Sequence, residues 1–157
     1  MRLFLDVFAQ NEWANVERLR GAAERCLLAA TGDAELGSAV SIIVAELGEN
    51  AIKYGCWGGP TQTFRVKITA EGEGIRVEVE CPWSADRSIA DLLDTVARLR
   101  AHPTARDAYQ ARVREIEAGR DGGSRLGLLR LAYETGCCLS VEEEAELVRV
   151  IATIGGE

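Results

Sequence analysis

The sequence holds a single histidine, His102, set directly before Pro103. One imidazole cannot build a histidine metal cluster, and Ser41 and Ser84 have no visible base for nucleophilic catalysis. His102 reads as a loop residue. Positive charge is also scarce: 18 Lys and Arg stand against 25 Asp and Glu, a net charge of −7. With no basic face to release phosphate counterions, no nucleic-acid partner is expected. Apolar runs long enough to span a bilayer are missing, so no membrane partner is expected either. Residues 1–8 alternate and carry Asp6, which is not the pattern of a signal peptide. No internal repeat, linker or low-complexity tract divides the chain. The cysteines number five, an odd count that points to a reduced, cytoplasmic protein. Cys137 and Cys138 are adjacent and unsuited to chelation or pairing, while Cys56 and Cys81 read as core thiols.

What is present is a globular composition, 47% hydrophobic and 27% charged over 157 residues, enough for one domain with one core. Alternation makes residues 3–8 a first strand. Asn11 is placed to cap a helix whose stripe is Trp13, Val16, Leu19, Ala23, Cys26 and Ala30, ending at Gly32. Asp33 is the expected N-cap of a second helix with the stripe Leu36, Val40, Ile43, Leu47, Ala51 and Tyr54. Gly55 ends it, and Gly58-Gly59-Pro60 turns the chain. Phe64, Val66 and Ile68 alternate with Arg65 and Lys67, and Ile75, Val77 and Val79 alternate with Arg76, Glu78 and Glu80. A hairpin at Glu71-Gly72-Glu73-Gly74 joins the two runs, setting a basic outer face beside an acidic one. Residues 84–118 read as helical, with a capping box at Ser88 and Asp91, a break at His102-Pro103 and a second cap at Thr104. After a glycine-rich loop come a short helix from Leu126 to Thr135, closed by Gly136, and a final hairpin around residues 143–146. The fold class is α+β, a two-layer sandwich with helices on one face of a mixed or antiparallel sheet.

One feature of the second helix exceeds what solubility requires. Glu46, Asn50 and Lys53 fall at i, i+4 and i+7, about a quarter turn from the centre of the apolar stripe. A carboxylate, a carboxamide and an ammonium therefore stand at the edge of the core. That row has the makings of a phosphoryl-transfer site, in which an amide oxygen helps hold Mg²⁺, a lysine neutralises phosphate and a carboxylate orients or deprotonates a hydroxyl. As a plain helix edge, the same row would contribute only a few tenths of a kcal/mol in side-chain contacts. Gly122 to Leu128 adds a glycine loop opening a helix, a place where backbone N–H groups meet anions.

Glu46-x-x-x-Asn50-Ala51-x-Lys53-Tyr54-Gly55 resembles the N-box of the GHKL (Bergerat-fold) ATPase superfamily, and Gly123-Ser124-Arg125-Leu126-Gly127-Leu128 resembles its second glycine box. The order of elements is similar to that of the anti-sigma-factor and SiaB-type serine kinases of bacterial partner switching. The resemblance implies one ATPase or kinase domain over residues 1–157, with a helical lid at about 84–121. It implies ATP and Mg²⁺ as cofactors, Asn50 as metal ligand and Glu46 as base for a Ser/Thr hydroxyl. Phosphates would lie under Gly122, Gly123, Ser124, Arg125 and Gly127, with Lys53 as a further contact. The implied partner is a small regulatory protein, an anti-sigma-antagonist-like domain or a sigma factor, and a homodimer is possible within the group. At the family's adenine-binding Asp stands Cys81, and at the following glycine stands Trp83, which either fills the adenine pocket or stacks on the base. Arg125 replaces a glycine and is placed to pair with a phosphate or with Glu46. A binding module of the same fold that has lost nucleotide is the alternative function.

Overall fold

Period-two alternation and helical stripes set ten elements in the order β1 (Arg2–Gln10), α1 (Trp13–Thr31), α2 (Ala34–Tyr54), β2 (Thr63–Glu71), β3 (Gly74–Pro82), α3 (Ala90–Ala101), α4 (Ala105–Glu117), α5 (Gly127–Thr135), β4 (Cys138–Glu144) and β5 (Leu147–Ile154). The computed structural model describes residues 2–59, 61–84, 87–120 and 126–155. Among them the five strands form one sheet in the order β1-β2-β3-β5-β4, antiparallel throughout. The β2–β3 hairpin turns through Gly72 at φ 61°, a left-handed conformation that suits glycine.

One face of the sheet carries the core. Phe64, Val66 and Ile68 of β2 and Ile75, Val77 and Val79 of β3 are buried on it, beneath Val40, Ile43, Val44 and Leu47 of α2. Helix α1 lies close along α2 because Gly48 has no side chain; a Cβ there would come 3.3 Å from Val16. Two expected stripes end differently from the sequence pattern. In α2 the buried face stops at Ala51 and Tyr54 is exposed; in α1 the stripe passes through Leu27 and leaves Trp13 and Ala30 outside.

The opposite face is an ionic lattice. Its register sets Arg65 beside Glu80 and Lys67 beside Glu78, as the alternating charges predict. Only the second pair closes directly, at 3.8 Å. Arg65 instead makes a fork to both oxygens of Asp6 on β1, at 2.8 and 2.7 Å. Glu80 accepts from Arg149 of β5 at 2.7 Å. Arg65 has a strand on either side, and its two-pronged contact with Asp6 wins over a single contact with Glu80.

Caps follow the sequence at Asp33, which accepts from the Leu36 N–H at 3.0 Å, and at Thr104, which accepts from the Asp107 N–H at 3.1 Å. Asn11 does not cap α1, whose first turn starts behind Glu12, one residue later. The helical reading from Ser84 is also too early. Helix α3 begins at Ala90 behind Ile89, so Ser88 sits one position outside the capping box and accepts from the Ala90 N–H instead. Helices α3 and α4 are joined by Arg98, which donates to both oxygens of Glu115 at 2.9 Å. No helix among the described residues is long and apolar enough to cross a membrane.

Candidate functional site

The C-terminal half of α2 forms one wall of a cavity of about 330 Å³, which β3, β5, α3 and the start of α5 complete. Leu47, Val79 and Val148 give it an apolar floor, and Glu46 and Asn50 line it from positions half-buried at the helix edge. This is the placement their spacing beside the core stripe predicts.

Glu46 meets the first residue of α5. Gly127 is so close that a Cβ on it would overlap the Glu46 carboxylate oxygen. The Arg130 guanidinium lies 3.9 Å from Glu46 Oε2, and the opening turn of α5 stands beside the same carboxylate. Lys53 sits on the rim and leans outward. Its ammonium lies 3.6 Å from Glu49 Oε2 and 5.8 Å from the Trp13 ring centroid. Gly122, Gly123, Ser124 and Arg125, expected to cradle phosphates, lie outside the described residues.

The other end of the cavity is built from β3 and the segment after it. Cys81 is buried on the cavity wall, and burial, with a smaller contribution from Cys56, pushes its thiol up to about 12. It therefore stays a neutral thiol, a weak hydrogen-bonding group where the family's carboxylate would accept. Trp83 is turned inward and only 7% exposed. Its indole N–H donates to the Arg87 carbonyl at 3.1 Å, and its backbone N–H donates to Glu146 at 2.7 Å. The Arg87 guanidinium carbon lies 4.7 Å from the centre of that indole, and Nη1 donates to the Tyr54 carbonyl at 2.6 Å and to Cys56 Sγ at 3.5 Å.

Sequence reasoning missed Arg87, Asp91 and Thr95, which also line the cavity. Asp91 and Thr95 share a face of α3 at i and i+4, so their spacing could have placed them together. Arg87 lies in an irregular segment that offers no periodic signal.

The N-box resemblance implies a magnesium ion and a nucleotide, and the donors can be tested against both. Asn50 offers one amide oxygen and Glu46 one carboxylate, and no group of three or more His, Cys, Asp or Glu gathers among the described residues. That set suits a magnesium ion held mainly by phosphate oxygens and water, with Asn50 as the protein ligand. Cys81 does not fit the family's way of holding adenine.

A polar helix row facing a cavity floored by an antiparallel sheet is the arrangement of the GHKL class of ATPase domains. The chain belongs to the histidine kinase-like ATPase domain family, whose model matches residues 9–123. No curated protein matches it. Among solved structures, it is similar to a chain in the crystal structure of the SiaB–SiaC complex from Pseudomonas aeruginosa. The TM-score is 0.65 and the identity 18%, covering 98% of this chain and 89% of that one. That likeness extends the α+β fold over nearly the whole length.

Proposed function

We propose that this protein is a cytoplasmic ATP-binding regulator of partner switching, which transfers a phosphoryl group to a serine or threonine of a small partner protein. The observation that carries this reading is the position of Glu46 and Asn50 together on the wall of one cavity, beside the opening turn of α5. Asn50 would hold a magnesium ion, whose charge would neutralise the phosphates when bound. Glu46 accepts the proton of the partner's hydroxyl as that oxygen bonds to the terminal phosphorus and the bond to the bridging oxygen breaks. ADP carries away the electron pair of the broken bond. Lys53, on the rim, neutralises phosphate once it leaves Glu49. Helices α3 and α4 serve as the lid of a single domain.

The family supports ATP as ligand, and the solved SiaB–SiaC complex, a fold relative with a protein partner, is in keeping with a small regulatory protein as phosphoacceptor. The free edge of β1, with Phe4 and Phe8 exposed beside it, supports a homodimer in the same reading.

A second reading, a partner-binding module that no longer uses nucleotide, rests on Cys81 and on the inward Trp83. Thermal unfolding with Mg-ATP separates the two. Ligand at about 100 times Kd adds roughly 2.7 kcal/mol to stability, so the wild-type melting temperature should rise while that of Asn50→Ala does not. An unchanged wild-type curve at millimolar Mg-ATP would reject the kinase and leave the binding module.

A further inference from the structure

Resting on the nucleotide reading of this cavity, we propose that Arg87 is its base-reading residue and that it reverses the purine preference, so that GTP shares the site with ATP and binds more tightly.

The argument begins with what each wall offers. An adenine pocket of the family's kind needs an acceptor for the exocyclic amino group, and the side chain at that position here is the Cys81 thiol, buried and neutral. Of the charged side chains that line the cavity beside Trp83, the Asp91 carboxylate already has a partner, and Arg87 is a donor. Arg87 lines the cavity and is held in place on two sides: its guanidinium rests on the Trp83 indole, and Nη1 is tied to the Tyr54 carbonyl and Cys56 Sγ. Trp83 is itself fixed through its N–H to the Arg87 carbonyl, so side chain and backbone brace each other. Among the described residues, Nε and Nη2 have no acceptor and no carboxylate pairs with Arg87. They are the two parallel N–H groups on the other side of a guanidinium that is exposed at the cavity's edge and anchored through Nη1.

A fork of two donors reads a pair of acceptors. Guanine offers O6 and N7 side by side, the commonest partner of a bidentate arginine, whereas adenine offers N7 beside an amino group that is itself a donor. Adenine can therefore accept one hydrogen bond from Arg87 but sets its N6 amino group against the second N–H. Replacing a carboxylate with a thiol removes the group that favoured adenine, and placing Arg87 beside it adds one that favours a 6-keto purine. A phosphate on Arg87 is the competing use of the same fork, and it would not distinguish the bases.

Calorimetric titration of the full chain with Mg-GTP and Mg-ATP tests the assignment, using wild type, Arg87→Ala and Arg87→Lys. A good bidentate base contact discriminates by roughly tenfold or more, so the wild type should bind Mg-GTP at least about tenfold tighter than Mg-ATP. In Arg87→Lys, which keeps the charge and loses the fork, that ratio should fall to within about threefold. Arg87→Ala should erase the preference likewise. Tighter binding of Mg-ATP in the wild type would overturn the inference and leave the proposed function standing, as would an unchanged ratio in both variants. Absence of binding by either nucleotide would overturn both.

Discussion

Glu46 and Gly127 are in contact across the cavity, carboxylate against backbone, with no room for a methyl group between them. The carboxylate end is flexible, so Gly127→Ala should displace it at little cost to the fold. Alanine in the first turn of α5 gains up to about 1 kcal/mol in helix propensity, which offsets part of the crowding. The melting temperature should move by no more than roughly 4 °C. Phosphoryl transfer should fall by about 10²-fold or more, the usual contribution of a positioned base. Activity equal to wild type would mean that the carboxylate does not act from this position.

Trp83 and Arg87 brace one another, and the two halves of that contact can be separated. Trp83→Phe keeps an aromatic ring under the guanidinium and loses the indole N–H bond to the Arg87 carbonyl. Its expected cost is about 1 kcal/mol, read from the denaturant midpoint. Trp83→Gly empties a buried site and should cost roughly 3–5 kcal/mol. If both substitutions cost under about 0.5 kcal/mol, the indole is not the structural brace described.

Cys81 makes stability fall at high pH. Its ordinary pKa of 9.0 is raised to about 12 in the folded protein. The folded state keeps the proton where the unfolded chain has released it, so the contribution is fully present below pH 9 and is lost as pH climbs toward 12. The loss is on the order of 4 kcal/mol across that interval. Urea unfolding of Cys81→Ala should show a shallower alkaline decline than wild type. Cys138→Ala, altering an exposed thiol, should leave the wild-type slope intact.

The half of the site on α2 is legible in the sequence because a helix converts spacing into direction. Glu46 and Asn50 could be set at the core edge from their numbers alone. The strands were equally readable, since Val66, Ile68, Val77 and Val79 alternate cleanly with charge. The sequence did not disclose which ions would meet on the outer face, because Arg65 has two strands competing for it and pattern gives no geometry. Tyr54 continues the apolar period of α2 by spacing alone, yet the buried face stops at Ala51 and Tyr54 is exposed. Arg87 carries no such signal, because its contacts with the Trp83 ring and the Tyr54 carbonyl join residues that no local period relates.

Strands β3 and β5 are rungs of the same ladder, Val79 beside Val150 and Pro82 beside Leu147, although three helices and β4 lie between them in the chain. Helices α3, α4 and α5 are thus inserted between β3 and the returning β4–β5 hairpin, whose second strand lies beside β3. Such a cassette can be lengthened, shortened or exchanged with modest loop-closure cost, while β1, β2, β3 and α2 keep their places. The wall bearing Glu46 and Asn50 is chassis, and the part that could answer to a new ligand or partner is interchangeable.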